Sequence, residues 1–288
     1  MGKPGVAVPR RSYRSPTGAP PCGVVRLGMR AGAGWRHEPS PCRDDHHIAT
    51  AFRPEAGVHV CLRPDGALAA LRADFFADRF ARAVRHRGFP DFPPAQFLEA
   101  VAHLAHRCRP LLRGPESGVY LRPDLMVEGG HDHWVFRLRA YLLPSAFGMG
   151  FLPLHLRWDP GARGGLHLCW VDSVGRRLVL APTPADDVSA LARASVTALA
   201  PRWGLRVSER SLSAAQWYRL SRQGRVVEAF VCGGPALVQP VGRIGLGDVS
   251  WPVGDGQPGP TVISARRHLF RLQRGQTADP DHWTLLLR

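Results

Sequence analysis

The sequence has very little lysine, because Lys3 is the only lysine among its 38 basic residues. Lys3 lies in a Pro- and Arg-rich stretch next to a Met-Gly start. A residue in such a stretch is a poor candidate for a buried amine with a lowered pKa. We therefore do not expect a site that forms an imine on a lysine side chain, since no other side chain can replace that amine.

Long apolar runs are also missing. No stretch is long enough to span a bilayer, and the start lacks the apolar core of a signal peptide. The hydrophobic content of 44% and charged content of 21% are typical of a globular protein. Its 288 residues allow one large domain or two ordinary ones. We expect a cytoplasmic protein without a membrane partner.

Acidic residues are scarce as well, which leaves a net charge of +15. A nucleic-acid-binding protein would gather its basic residues on one patch or within a recognisable motif. Here the arginines are scattered through the predicted helices and strands. Arginine in place of lysine, with abundant Ala, Gly and Pro, also follows from a GC-rich coding sequence. We expect no nucleic-acid partner.

The cysteines form no CxxC pair and have no regular spacing. Buried free thiols are the usual state of such residues in the cytosol. Cys42 lies near His46 and His47, the only local cluster that hints at a metal, but adjacent histidines point in different directions and lack ligand spacing. We expect no metal site. The six cysteines are Cys22, Cys42, Cys61, Cys108, Cys169 and Cys232.

The hydrophobic pattern divides the chain into three parts. Residues 1–25 lack apolar periodicity and predict a disordered basic arm. Residues 26–150 and 151–288 predict an α+β fold of two subdomains with a cleft between them. The predicted strands are Ile48–Phe52, Val58–Leu62, Ala67–Leu71, Gly118–Pro123, His133–Leu143, His167–Val171, Leu178–Leu180, Val226–Val231 and Ala236–Val238. The predicted helices are Ala73–Arg87, Ala95–Arg107, Asp187–Trp203 with Gly204 as its cap, and Ala265–Leu272.

Three stretches carry a resemblance to a known family. Val226–Arg243 reads VVEAFVCGGPALVQPVGR and is similar to the late strand and turn of branched-chain amino-acid aminotransferases. Gly66–Pro90 is similar to the stretch after their first hairpin, and Val119–Pro123 looks like their Tyr-x-Arg-Pro strand. Further matches are Gly254–Pro260, Leu272–Gly275, Asp279 and Trp283, so that the likeness runs from about Ile48 to Trp283 with one gap.

The resemblance implies the class IV aminotransferase fold, also called D-amino-acid aminotransferase-like, and a homodimer. Family members hold pyridoxal phosphate (PLP) as an imine on a lysine. By position, Arg79 would bind the cofactor phosphate, and Tyr120 and Arg122 would line the substrate pocket. A planar guanidinium binds phosphate or carboxylate through paired donors. The alternative is that Arg79 packs along its helix and pairs with Asp74 or Asp78, and that Tyr120 is a core residue.

This sequence departs from the family at the positions of its catalytic residues. Between Leu143 and Gly164 the family places a long segment with the lysine, a tyrosine and a crossover helix, and that segment is deleted here. The glutamate that pairs with the pyridine nitrogen would align near Ala162. No glutamate occurs between Glu128 and Glu209, so the carboxylate that makes PLP an electron sink is missing as well.

The phosphate cradle is altered at two places. The family's Pro-Gly-Ile-Thr at a helix N-terminus is replaced by Ser189–Ala192, without the glycine and threonine. Its Gly-Thr-Ala turn is replaced by Gly233–Pro235, where Gly234 has no hydroxyl and Pro235 has no N–H. Together with the single lysine, these changes predict a protein without a PLP cofactor.

We first consider an enzyme of bacterial specialised metabolism that works on this scaffold without PLP. It would cyclise, rearrange or hydrolyse a small molecule with an anionic or carbonyl group. The candidate catalytic residues are Tyr120 and the titratable loop residues His131, Asp132 and His133; a polar turn is the alternative for that loop. The candidate ligand-binding residues are Arg79, Arg122, Cys232, Gly233 and Gly234, with packing as the alternative for Cys232.

A second hypothesis is a non-catalytic scaffold that keeps the fold and a dimer interface and stabilises a partner. Such a protein needs no acid–base group. Clustering of Arg79, Tyr120, Arg122 and His133 around one cleft would favour the enzyme. A true PLP-dependent aminotransferase is the third hypothesis, and it requires an imine on Lys3.

Overall fold

The computed structural model describes residues 21–30, 34–37, 50–54, 56–114, 116–128, 133–143, 152–157, 167–183, 187 and 190–288. These residues form two compact units, each with its own sheet. The first unit holds the described residues of 21–143, Asp187 and residues 271–288. The second unit holds those of 152–183 and residues 190–270.

The sheet of the first unit has eight strands, and all of its strand pairs are antiparallel. Its order is β15-β5-β4-β6-β7-β1-β2, and β3 pairs with β6. The strands are β1 (Gly23–Arg30), β2 (Arg36–His37), β3 (Thr50–Phe52), β4 (Val58–Leu62), β5 (Leu68–Leu71), β6 (Gly118–Glu128), β7 (His133–Leu143) and β15 (Thr284–Leu287).

Two amphipathic helices, α1 (Ala73–His86) and α2 (Pro94–Cys108), cover one face of this sheet. The rings of Phe80 and Phe97 lie 5.7 and 5.8 Å from the ring of Phe136 on β7. Successive side chains of a strand point to opposite faces. The aromatic core therefore takes one face of β7, and the residues that alternate with Phe136 lie on the other face.

The sheet of the second unit has seven strands in the order β11-β10-β9-β12-β13-β14, and β8 pairs with β13. Its core includes Trp170 and Trp217, whose rings lie 4.7 Å apart. The strands are β8 (Leu154–Arg157), β9 (His167–Asp172), β10 (Arg177–Leu180), β11 (Arg206–Glu209), β12 (Val226–Cys232), β13 (Val238–Leu246) and β14 (Val249–Pro252). The helices are α3 (Leu191–Leu199), α4 (Ala214–Arg222) and α5 (Pro260–Gln273).

Most of the elements predicted from the hydrophobic periodicity are present in the structure. The predicted strands Val58–Leu62 and His133–Leu143 coincide with β4 and β7, and the first two predicted helices agree with α1 and α2 to within one residue at each end. Gly204 has a φ of 68° after a short 3-10 turn, which confirms the predicted glycine cap. The prediction of an α+β fold with two subdomains is confirmed as well.

Several boundaries were wrong. Strand β1 begins at Gly23, so the predicted arm ends before residue 25, and its residues 1–20 lie outside the described part. Residues 271–288 belong to the first unit and not to the second. Ala236 and Leu237 form a turn, since Leu237 has a φ of 58°, which an extended strand does not allow. The elements that were not predicted are helix α4 and the strands β1, β2, β8, β11, β14 and β15.

The chain between β7 and β9 contains, among its described residues, only the short strand β8. This is the stretch where the sequence predicts a deletion. No helix among the described residues is both long and apolar enough to cross a membrane. The described residues hold no cluster of three or more potential metal ligands, and Cys42, His46 and His47 lie outside them.

Candidate functional site

A polar face of the first sheet is formed by alternate residues of β6 and β7. Tyr120, Arg122 and Asp124 follow one another on β6 at a spacing of two, which places them on one face. Their cross-strand partners on β7 are Tyr141, Arg139 and Arg137. This set of six residues, which we call the arginine face, lies opposite the face that packs on α1 and α2 because Phe136 alternates with its β7 members.

Asp124 is the carboxylate at the centre of the arginine face, and its side chain is fully buried. Its oxygens lie 2.6 Å from Nε of Arg53, 2.7 Å from Nη2 of Arg139 and 3.3 Å from Nη2 of Arg137. One buried carboxylate thus holds three guanidinium groups. Such a cluster persists because every charge in it has a hydrogen-bonding or ionic partner.

Arg122 lies next to this cluster, but it is not part of it. Its side chain is half-buried, and its Nε is buried without a hydrogen-bond partner among the residues that the structure describes. Among the described residues it makes no ion pair, and the residue across the strand is another arginine, Arg139. Within the same described residues, Arg139 also has a buried Nε without a hydrogen-bond partner. Buried donors without acceptors are costly, so the arginine face is electrostatically suited to an anion.

Tyr120 is packed at the other side of Arg122. It is buried, and its ring centre lies 5.1 Å from the ring centre of His59 on β4. Gly57 permits this packing, because a Cβ there would lie 2.9 Å from Cζ of Tyr120 and 2.2 Å from the Leu121 carbonyl oxygen. The sequence did not single out His59, which adds a buried, titratable ring beside the arginine face.

Arg79 is held by groups of its own unit. Its Nε donates a hydrogen bond of 2.9 Å to the carbonyl oxygen of Asp187, and its guanidinium lies 5.1 Å from the ring centre of Phe75. The sequence offered a phosphate or an aspartate side chain as the partner of Arg79. The structure shows a backbone carbonyl and an aromatic ring on this helix among the groups around Arg79.

Of the predicted catalytic loop residues, only His133 is described, and it is remote from Tyr120 along the hairpin. His131 and Asp132 lie outside the described residues. His133 is the first residue of β7 and pairs with Glu128, eight residues beyond Tyr120 on β6. At about 3.4 Å per residue this corresponds to roughly 27 Å along the strand. The structure therefore does not bring His133 together with Tyr120 and Arg122.

In the second unit, Cys232 ends β12 as a fully buried thiol. Its Sγ lies 3.7 Å from Sγ of Cys169 on the neighbouring strand. Burial is the largest cause that raises the pKa of Cys232 well above the usual value for a thiol. A neutral, inaccessible thiol is a poor nucleophile, so the geometry favours the packing alternative for this residue.

The turn after Cys232 is closed by hydrogen bonds within the unit. The N–H of Gly233 donates to the carbonyl oxygen of Leu237 at 2.7 Å, and the N–H of Leu237 donates back to Gly234 at 3.2 Å. Gly233 and Gly234 have φ values of 128° and 64°, which glycine adopts at little cost. Arg266 of α5 donates to the carbonyl oxygens of Ala236 and Val238. Hydrogen bonds within the turn and from α5 thus stabilise its conformation.

A pocket of about 560 Å³ lies at the other end of β12, lined in part by Glu228, Asp172 and Trp203. Both carboxylates in it have partners within the unit. Glu228 accepts hydrogen bonds from the backbone N–H groups of Thr261 and Val262 at the start of α5. Asp172 forms ion pairs with two arginines. These carboxylates therefore stabilise the second unit. The pocket is separate from the turn at Gly233.

Comparison with known proteins relates these two units to one group of enzymes. No protein-family model matches the chain. A probable branched-chain aminotransferase of Streptomyces coelicolor is 24% identical over 281 residues, which is 79% of this chain and 78% of that protein. The branched-chain aminotransferase of Mycobacterium tuberculosis is 25% identical and covers 83% of this chain and 80% of its own length.

Solved structures give the same result. The Escherichia coli branched-chain aminotransferase superposes with a TM-score of 0.62 at 17% identity, covering 84% of this chain and 91% of that one. The chain resembles branched-chain aminotransferases in sequence and in fold. The branched-chain aminotransferase of Thermobaculum terrenum superposes with a TM-score of 0.60 at 16% identity, covering 81% of this chain and 88% of its own. These similarities confirm the predicted class IV fold.

On this branched-chain aminotransferase-like fold, the sequence located Tyr120 and Arg122 through the Tyr-x-Arg-Pro motif. It missed Asp124, Arg139 and His59, which surround them. Asp124 follows the motif directly, but its role appears only when the strand register is known. His59 and Arg139 lie on other strands, directly opposite Tyr120 and Arg122, and no local signal in the sequence identifies them.

Proposed function

We propose that the chain binds a small anionic molecule on the arginine face and converts it without PLP, by a reaction other than transamination. The observation that carries the proposal is Arg122, whose half-buried guanidinium has a buried Nε without a hydrogen-bond partner in the described part of the chain. A carboxylate or phosphate would supply the missing acceptor, because the planar guanidinium binds either through two parallel hydrogen bonds.

The charge around Arg122 supports an anionic ligand. Asp124 already has three arginines, and its oxygens are shared among them. Arg139, across the strand from Arg122, contributes a second guanidinium with a buried, unpartnered Nε. A ligand carboxylate at this point would meet positive charge from both strands in a partly desolvated place, where such interactions are stronger than in water. His59 and Tyr120 lie close enough together to serve as proton-transfer groups beside it.

The residues at the family's cofactor positions do not fit PLP. Lys3 is the only lysine of the sequence. In the turn that replaces the family's Gly-Thr-Ala, the N–H of Gly233 is used by Leu237, and Pro235 has no N–H. The Nε of Arg79 donates to a backbone carbonyl. For these reasons we propose a PLP-independent protein of specialised metabolism.

The second candidate is a non-catalytic binding protein on the same scaffold. The observation that favours it is the position of His133, which lies roughly 27 Å along the hairpin from Tyr120 at the usual rise per residue. If the pair of His59 and Tyr120 is only a packing contact, the arginine face would bind an anion without transforming it. Both candidates share the anion site, and turnover of a bound compound separates them.

The anion site is tested by titrating the purified protein with succinate and with inorganic phosphate in a calorimeter. We expect Arg122→Met to weaken binding by at least about tenfold, the scale of one hydrogen bond to a charged group. Arg219→Met is the matched control, since Arg219 is exposed on α4. If Arg122→Met folds normally by circular dichroism and binds both anions as the parent does, the arginine face is not the working site.

The cofactor part is tested separately by adding PLP, reducing with borohydride and mapping any adduct by mass spectrometry. We expect no PLP on a lysine and no absorbance band that borohydride discharges. Lys3→Ala is the control variant. An adduct that forms in the parent protein and disappears in Lys3→Ala would place an imine on Lys3 and overturn the PLP-independent proposal.

A further inference from the structure

A pair of cysteines far apart in sequence meets at the surface of the first unit. Cys22 directly precedes β1, and Cys108 is the last residue of α2. Their Sγ atoms lie 3.9 Å apart, which is close to van der Waals contact between two sulfurs. Gly23 makes this approach possible, because a Cβ there would lie 3.3 Å from Sγ of Cys108 and 3.0 Å from Cδ1 of Leu104.

The two thiols differ in their access to solvent. Cys22 is exposed, whereas Cys108 is buried directly behind it. The chain offers an internal comparison in Cys169 and Cys232, whose sulfurs are equally close at 3.7 Å but are both buried in the second sheet. A reagent dissolved in water can therefore reach the first pair but not the second. Cys22 also contradicts the expectation that the free thiols are buried.

The ionisation of the two thiols supports a division of roles. The hydrogen bond from Cys108 is the main cause that lowers the pKa of Cys22 to about 7. The same contact, together with burial and the charge of Cys22, raises the pKa of Cys108, and the positive charge of Arg107 on α2 acts in the opposite direction. Cys22 is thus the more acidic of the two thiols and Cys108 the less acidic one, which is the arrangement of an attacking and a resolving cysteine.

We propose that Cys22 and Cys108 form a thiol–disulfide exchange site for low-molecular-weight disulfides. The Cys22 thiolate attacks one sulfur of the disulfide, forms a mixed disulfide and releases one small thiolate. The Cys108 thiol, as its proton leaves to solvent, then attacks Sγ of Cys22 and releases the second small thiol. The small disulfide is reduced to two thiols, and the two cysteines are oxidised to one disulfide.

The ionisation also sets the expected rate. At pH 7 about half of the Cys22 thiol is ionised, against a few per cent for an ordinary cysteine. A less basic thiolate is a weaker nucleophile, and this offsets part of the gain. We expect Cys22 to react roughly three times faster at pH 7 than an unperturbed exposed thiol. The inference does not depend on the proposed anion site.

The test treats the reduced full-length protein with oxidised glutathione at pH 7 and follows it by intact mass and by non-reducing peptide mapping. The parent protein should lose two hydrogen atoms and yield a peptide that joins Cys22 to Cys108. Cys108→Ser should stop at the first step and retain one glutathione on Cys22. Cys108→Ala, which also lacks the hydrogen-bond donor, should form that adduct roughly threefold more slowly at pH 7.

Cys169→Ser is the matched control, because it removes one member of the buried pair and should leave the reaction at Cys22 unchanged. Two outcomes would overturn the proposal. In the first, Cys22 reacts no faster than Cys169 and Cys232 in the folded parent protein. In the second, the mapped disulfide joins Cys22 to a cysteine other than Cys108 or to another copy of the chain.

Discussion

Asp124 is the residue on which the arginine face depends, because its buried carboxylate is shared by Arg53, Arg137 and Arg139. We predict that Asp124→Asn lowers the free energy of unfolding by about 3 kcal/mol or more, since it leaves buried guanidinium groups without their counterion. Urea denaturation followed by circular dichroism measures this loss. The matched control is Asp91→Asn, which breaks an ion pair with Arg85 in which both side chains are more than 65% exposed.

Asp91→Asn should change the stability by less than about 1 kcal/mol, as is usual for a surface ion pair. Equal losses in the two variants would mean that the cluster around Asp124 contributes no more than a surface pair. In that case the arginine face would need another explanation for its closely spaced guanidinium groups.

Glu228 gives a prediction about pH at the scale of one residue. Burial, the largest cause, raises the pKa of its carboxyl group, although it accepts two backbone hydrogen bonds at the start of α5. An acid with a raised pKa in the folded state stabilises the fold while it is protonated, and this contribution is lost as the pH rises through the raised pKa. The stability of the parent protein relative to Glu228→Gln should therefore fall as the pH rises from below the usual glutamate range.

Denaturation of both proteins at several pH values measures this difference, and all other titrating groups are common to the two. If the stability of the parent protein relative to Glu228→Gln rises with pH, that result contradicts the raised pKa of Glu228. It would mean instead that the helix N-terminus stabilises the carboxylate more than burial disfavours it.

The sequence predicted individual site residues only where a motif carried them. Tyr120 and Arg122 were found through Tyr-x-Arg-Pro. Asp124 was missed because its importance comes from the arginines of other strands. His59 was missed because a lone histidine in a short strand gives no signal until β4 is known to pair with β6.

At the scale of the elements, helix α4 has the clearest local determinant. The N–H of Ser213 donates to Oε1 of Gln216 at 2.8 Å, and the N–H of Gln216 donates to Oγ of Ser213 at 3.3 Å. This reciprocal pair is a capping box. We predict that Ser213→Ala lowers the free energy of unfolding by about 1 kcal/mol, measured by urea denaturation.

Ser211→Ala is the control for that helix, because Ser211 is exposed two residues earlier and caps nothing. It should leave the stability unchanged within about 0.5 kcal/mol. If both variants lose the same amount, the capping box does not stabilise α4.

Elements with a strong apolar period were predicted well, as β4, β7, α1 and α2 show. Helix α4 was missed although its sequence contains the capping box, because its only buried residue is Trp217 and its apolar face is narrow. Strand β1 was missed because glycine and arginine interrupt its alternation. Strand β15 was missed because it pairs with β5, a distant strand that the local sequence does not identify.

At the scale of the whole molecule, we propose that the chain forms a homodimer, as its resemblance to the aminotransferases implies. Multi-angle light scattering at micromolar concentration should give about twice the chain mass of 31.6 kDa. A symmetric pair would have the same surface patch on both copies. A monomer mass that persists at the highest soluble concentration would contradict the proposal and would point to loss of the interface with the deleted segment.

The pairing of β15 with β5 has a consequence for synthesis on the ribosome. Leu71 of β5 pairs with Thr284 of β15, so the sheet of the first unit cannot be completed until the whole second unit has been translated. At common elongation rates this leaves the apolar edge of β5 open for roughly 10 to 40 s. An open apolar edge is a template for pairing with other chains. The nascent protein is therefore most prone to aggregation during that interval, and a chaperone that covers β5 would raise its yield.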